Sequence, residues 1–240
     1  MHPLLDALLN LLFPEGPGCK LCGSPGREDL CFACRLALSK WAAEAKCPIC
    51  GRPVPPQGPQ AGQCRECRRQ PPPFEMARAV GAYEGGLRQA IHLLKYKGRK
   101  SLAPLLGKLL LETLQKHPLL LQCDIVMPVP ISRGRLRERG FNQAELLAVE
   151  AARGISRPLA NQALIKIAET PPQTGLTREQ RERNLKGSLQ VVLPEEVRGR
   201  NILLVDDVLT TGSTASAAAE ALKQQGAARI FVITLASAAK

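Results

Sequence analysis

With 240 residues the chain exceeds one average domain and can bury a sizeable core. Its formal net charge of +12 points toward polyanionic ligands, while 3% aromatic content excludes an extended base-stacking platform. No apolar run approaches the ~20 residues a membrane-spanning helix needs.

Residues 3–13 are apolar but carry Asp6 and lack a basic leader. They read as a short amphipathic helix packed on the segment that follows, not as a signal peptide, and a cytoplasmic location is expected.

Four C-x-x-C pairs follow: Cys19/Cys22, Cys31/Cys34, Cys47/Cys50 and Cys64/Cys67. One such turn aims two thiolates at a tetrahedral ion, and two turns complete its coordination. Disulfides would need an oxidising compartment, and a redox C-x-x-C stands alone beside a βαβ pattern rather than in a series of four. Two structural Zn²⁺ sites are therefore expected. Sequential pairing gives Cys19, Cys22, Cys31 and Cys34 at the first and Cys47, Cys50, Cys64 and Cys67 at the second. It closes short loops, although the spacing also admits a crossed pairing. Eight thiolates and two ions contribute −4, lowering the formal +12 to +8. The ninth cysteine, Cys123, precedes an apolar run and reads as a core thiol. Arg65, Arg68 and Arg69 give this region a basic end, suited to nucleic acid, to protein or simply to solvent. Pro71-Pro72-Pro73 then stiffens the exit, so the expected domains are 1–73 and 74–240.

The second domain opens with a strand at 79–83 and a helix over 87–94. The run Lys95-Tyr96-Lys97-Gly98-Arg99-Lys100 reads as a basic loop, either solvated or a flap carrying charge to a ligand. Ser101 is expected to cap a helix reaching about residue 116, with Pro104 in its first turn. A strand at 124–130 ends in prolines. Beyond it, Arg133, Arg135, Arg137 and Arg139 alternate, offset only by Glu138. That spacing suits a loop closing guanidinium forks around phosphate better than one helix face. Residues 144–152 form a helix, and 229–235 a strand at or near the edge of the sheet. Beyond residue 76, 24 Lys and Arg face 14 Asp and Glu.

The stretch Asn201 to Ala219 is the most informative. Ile202-Leu203-Leu204-Val205 is an uncharged run suited to a strand buried on both faces of a parallel sheet. Asp206 and Asp207 follow, then Thr210, Thr211, Gly212, Ser213 and Thr214, then an alanine-rich helix former. Unpaired N–H groups at a helix start, a glycine and clustered hydroxyls make a phosphate site. The two carboxylates beside it suit sugar hydroxyls or Mg²⁺. A magnesium-holding ATPase strand would need G-x-x-x-x-G-K-[ST] upstream, which the chain lacks.

This motif resembles the signature of type I phosphoribosyltransferases, which bind 5-phosphoribosyl-1-pyrophosphate (PRPP). The resemblance implies a doubly wound, mostly parallel α/β sheet, with Asp206 and Asp207 on the ribose and residues 210–214 around its 5′-phosphate. Within that group, Pro128-Val129-Pro130-Ile131-Ser132-Arg133, Arg139-Gly140-Phe141-Asn142-Gln143 and Lys95 to Arg99 are similar to the ComF (competence protein F, GntX-like) branch. So are Thr170-Pro171-Pro172-Gln173-Thr174-Gly175-Leu176 and Arg178, Arg181, Arg183 and Asn184.

That branch joins a double zinc ribbon to the PRPP-binding domain. It implies Ile131, Ser132, Arg133, Arg137, Arg139 and Lys97 on the pyrophosphate side, and an acceptor-choosing hood at 170–176 leading to a helix at 177–186. It also implies Mg²⁺ arriving with PRPP and a part in DNA uptake or the use of external DNA. The implied partners are single-stranded DNA and a competence helicase or other DNA-processing protein. Two positions depart from the pattern, since members commonly carry arginine where this chain has Lys166 and Ala168. The residues name no general base: His2, His92 and His117 lie in no motif. Both a phosphoribosyltransferase and a non-catalytic PRPP sensor that binds single strands fit the sequence.

Overall fold

The computed structural model describes residues 17–56, 62–167 and 187–238. The expected segments at 3–13, 170–176 and 177–186, and Ala168, lie outside the described residues.

The centre is a four-stranded parallel sheet built from β1 (Met76–Ala82), β2 (Ile125–Pro128), β5 (Asn201–Leu209) and β6 (Arg229–Ser237), in the order β1-β6-β5-β2. The apolar run of β5 is buried on both faces, as a parallel strand requires. Leu203 and Val205 join one core, with Leu87, Ile91 and Leu94 of α3 (Gly85–Lys97), Leu106 and Leu110 of α4 (Ala103–Gln115) and Leu147 of α6 (Gln143–Gly154). Ile202 and Leu204 join the other, against Ala215, Ala218, Ala219 and Leu222 of α7 (Ser213–Gln224). A small antiparallel pair, β3 (Leu164–Lys166) and β4 (Leu189–Val191), packs beside the second core. Cys123 is fully buried in the first, as its sequence context suggests.

Several local expectations need correction. Strand β5 does not stop before its acids: Asp206 pairs with Thr234, Val208 with Ala236 and Leu209 with Ser237. The uninterrupted β6 ladder overrides the charges. Because β2 pairs only as far as Val205, β5 beyond that point has one neighbouring strand among the described residues. Strand β6 lies one in from the β1 edge, the near-edge place expected of it.

The arginine segment is helical, α5 (Arg133–Arg139). The Ser132 hydroxyl accepts the Arg135 N–H at 3.4 Å, and Gly140, at φ 75°, closes the far end. Caps at both ends thus outweigh the poor face periodicity, and no residue of α5 is buried. The run from Lys95 is likewise no loop. Helix α3 continues through Lys97 and stops on left-handed Gly98, and a 3₁₀ turn, Lys100–Leu102, leads into α4. That turn absorbs Ser101, so no side chain caps α4, although Pro104 does sit in its first turn.

The cysteine-rich region packs on the free edge of β1. Its helices are α1 (Phe32–Ala43) and α2 (Arg65–Arg69). Trp41 donates its Nε1–H to the Ala79 carbonyl at 3.0 Å. The Ala77 N–H donates to the Ile49 carbonyl at 2.6 Å, and Arg78 donates to the Pro48 carbonyl at 3.0 Å. An exposed strand edge is a template for aggregation, and this one is covered. At Gly51 the chain turns with φ +69°, and a Cβ there would stand 2.5 Å from the Ala77 oxygen. Glycine is what lets the knuckle meet the sheet.

Candidate functional site

A cleft of about 1040 Å³ opens at the carboxyl ends of β2 and β5, the usual ligand position in parallel α/β sheets. Seven Lys and Arg side chains line it against three acids, Glu138, Asp206 and Asp207. The lining carries a net positive charge.

The acid pair forms its floor. The Asp207 carboxylate is 3% exposed and ion-paired to Lys95 from the last turn of α3. Burial alone would raise the Asp207 carboxyl, but the Lys95 ammonium more than reverses this and holds it below the ordinary carboxylate range. Asp206 goes the other way. Burial first, then the Asp207 charge beside it, push its carboxyl well above that range. Its Oδ1 accepts the Asp207 N–H at 2.8 Å. The Lys95 ammonium itself is raised: burial works against its charge, and Asp207 prevails. The floor therefore sets two adjacent carboxyls apart, Asp207 favouring its charged form and Asp206 holding its proton more tightly than an ordinary carboxyl.

The hydroxyl loop joins β5 to α7. Gly212, at φ +85°, occupies the N-cap position, where no side chain caps the helix. Its inner hydroxyls pair with each other: Thr211 Oγ1 and Ser213 Oγ lie 2.7 Å apart, and the Ser213 N–H donates to Thr211 Oγ1 at 3.3 Å. Thr210 and Thr214 line the cleft. Ser213 is buried, and Thr211 and Gly212 face the second cysteine cluster.

Opposite the loop, Ile131, Arg137, Arg139 and Lys97 line the cleft, as does Arg135. Ser132 is buried and spends its hydroxyl on capping α5, and Arg133 is not among the lining residues. Arg139 bonds Gln143 and lies 5.5 Å over the Tyr96 ring, while Lys100 lies 4.9 Å over Phe141. Sequence reasoning placed Lys95 only in the basic run, with no partner for it on β5. The signal for it was available: it lies four residues after buried Ile91 and one after Leu94, on the helix side that faces the sheet.

Both cysteine clusters gather in the sequential pairing, with the ligand sulfurs of each within 4.8 Å of one another. Cys22 and Cys31 sulfurs are 3.7 Å apart, Cys50 and Cys64 3.6 Å. The edge of a tetrahedron with Zn–S bonds of ~2.3 Å is about 3.8 Å, so the residues fit zinc. The Ser24 hydroxyl and backbone lower the Cys22 thiol to about 6, and the Cys67 thiol lowers Cys50 to about 5. Four sulfurs leave no open position, and these are structural zinc sites.

A parallel sheet carrying an acid pair and hydroxyl loop, with two tetrathiolate zinc sites ahead of it, defines a double zinc ribbon joined to a type I phosphoribosyltransferase fold. The double zinc ribbon domain family matches residues 8–70 and the phosphoribosyl transferase domain family residues 145–240. The chain is 35% identical to the DNA utilization protein YhgH of Escherichia coli K12, over 85% of this chain and 94% of that one. It is 30% identical to competence protein F of Haemophilus influenzae (88% and 92% covered) and to competence protein ComFC of Bacillus subtilis (87% and 84%). Among solved structures, a purine phosphoribosyltransferase from Pyrococcus horikoshii shares 19% identity over 55% of this chain and 70% of its own, at a TM-score of 0.34. The protein belongs to the ComF family. Among the described residues no helix is long and apolar enough to cross a membrane.

Proposed function

We propose that the cleft binds PRPP with its Mg²⁺, and that the protein serves DNA uptake or the use of external DNA. In this reading Asp206 and Asp207 hold the ribose hydroxyls. The N–H groups of residues 210–214 and the Thr210 and Thr214 hydroxyls hold the 5′-phosphate, and Arg137, Arg139, Lys97 and the Ile131 backbone meet the pyrophosphate. The single observation that carries it is the floor of the cleft: a paired and an unpaired carboxyl directly before a glycine-turned helix start, under a rim of cations.

Transfer to an acceptor breaks the bond from C1 to pyrophosphate through an oxocarbenium-like state. Cations on the leaving oxygens and fixed orientation supply the stabilisation. Mg²⁺, brought by the substrate, adds Lewis-acid charge at those same oxygens. The role in DNA handling rests on the competence and DNA utilization names of the relatives and on the basic surface.

A second reading rests on α5, whose arginines stand on a helix with no buried residue. It makes the protein a PRPP sensor that binds single-stranded DNA without transfer, in a cytoplasmic setting with a DNA-processing partner.

Calorimetry with PRPP and Mg²⁺ on zinc-loaded protein tests the first reading. Heat is expected from the native protein and none from Asp206→Asn/Asp207→Asn; silence from the native protein rejects PRPP binding. Pyrophosphate release with candidate acceptors marks transfer. Salt-sensitive strand binding that survives the double substitution marks the second reading.

A further inference from the structure

Arg52 of the second cysteine knuckle and Thr210 of the hydroxyl loop are 158 residues apart in sequence and hydrogen-bonded in space. Arg52, two residues after Cys50, donates from Nη2 to the Thr210 carbonyl at 2.8 Å. Its Nε is shielded from solvent. The arginine is itself anchored by the knuckle. The Cys47 N–H donates to the Arg52 carbonyl at 2.8 Å, and the Gly51 N–H to the Cys47 carbonyl at 3.0 Å. Beside this contact, Cys67 and Phe74 face Thr211 and Gly212 with only about 20 Å³ between them. Nothing larger than a water fits there.

A peptide unit is planar and trans, so its C=O and N–H point in opposite directions. Holding the Thr210 carbonyl on the knuckle side therefore turns the Thr211 N–H away from the knuckle. Gly212 follows at φ +85° and opens α7. An anion site of this kind works only if its N–H groups already point outward before the ligand arrives. Arg52 lies outside the cleft lining and acts on the loop from behind.

We propose that Arg52 is a positioning residue through which the second zinc knuckle sets the conformation of the anion-binding loop. Zinc at that knuckle and a phosphate ligand in the cleft then favour each other, and by linkage the coupling is reciprocal. The proposal rests on the PRPP reading for its ligand but not for its structural half. It gives the fused ribbon a task in the site itself, beyond covering the sheet edge.

The test uses the full zinc-loaded chain and compares the native protein with Arg52→Gln and Arg52→Lys. Without any ligand, hydrogen exchange at the hydrogen-bonded amides of Ser213 and Ser216, which donate to Thr211 Oγ1 and to the Gly212 carbonyl, is expected to quicken at least fivefold in Arg52→Gln. Arg52→Lys keeps the charge but loses the fork and falls between. Zinc release to a chelator is expected to slow severalfold when PRPP and Mg²⁺ are added to the native protein, and to stay unchanged by them in Arg52→Gln. Unaltered loop exchange in both variants overturns the proposal. So does an equal slowing of zinc release in native and Gln forms. If native protein takes up no PRPP, the functional reading fails and the ligand-free exchange still decides Arg52. If Arg52→Gln does not retain two zinc ions, Arg52→Lys carries both comparisons.

Discussion

Asp207 keeps its charge because Lys95 reaches it, whereas Asp206 is pushed toward its neutral form by burial and by that same neighbouring charge. The difference has a sign that can be measured. Asp206 holds its proton more tightly in the folded chain than in the unfolded one, where a carboxyl titrates at about 4. Between those two values the folded state carries more protons, so its stability is greatest at low pH and falls as pH rises through the window. Asn cannot ionise and escapes that loss. Asp206→Asn is expected to melt about 2–4 °C above the native protein at pH 8.5, equivalent to about 1 kcal/mol at this chain length. The gap should narrow as the pH is lowered to 6. The same substitution should weaken PRPP binding at least tenfold, since on the proposed reading the amide can neither ionise against the ligand nor offer it a second oxygen. Gaining stability while losing the ligand is what a site residue does, in contrast to a packing residue. Identical melting at both pH values would mean that Asp206 ionises in the fold without penalty.

Helix α5 shows how an element can owe its existence to its ends. Seven residues are too few for a helix to persist on propensity alone, and four of these seven are arginines that repel one another. The Ser132 cap and the left-handed Gly140 close it, and the Asn142 side chain fixes the next turn by donating to the Val129 carbonyl at 3.1 Å. Ser132→Ala is expected to cost about 1 kcal/mol. Most of that loss should appear locally, as faster hydrogen exchange at amides 136–140, together with weaker pyrophosphate binding as the arginines lose their fixed spacing. Faster exchange across β5 as well would instead show that Ser132 supports the whole sheet. The sequence displayed α5's charge but not its shape, because alternation was read for face periodicity while the caps decided the matter. The β5 apolar run and the cysteine spacing were legible because each is local: four apolar residues define a buried strand, and C-x-x-C defines a knuckle. Lys95 on Asp207 and Arg52 on Thr210 were not, since each joins residues that only the fold brings together.

The molecule as a whole depends on an edge. Strand β1 would otherwise present a row of unpaired backbone groups, and the ribbon answers them at Ala77 and Ala79. Tetrathiolate ribbons hold their shape through the metal, so chelation removes folding free energy directly. Cys19 and Cys34 of the first cysteine cluster belong to one of the sheet's two cores, while the other core includes neither cluster, so the packing of the sheet on α7 should outlast the metal. Trp41, the sole tryptophan and 4% exposed, sits at the junction and reports on it. A strong chelator is therefore expected to shift Trp41 emission to the red while much of the far-ultraviolet circular dichroism of the sheet and its helices remains. Light scattering should then rise with protein concentration as bare β1 edges pair. Zinc returned early should reverse the emission shift; zinc returned after scattering has grown should not. Trp41→Phe keeps the ring packing but loses the donor to Ala79, and should lower the chelator concentration at which scattering begins. Emission and far-ultraviolet signal falling together would show that ribbon and sheet unfold as one unit, and the edge would then have no separate existence to protect.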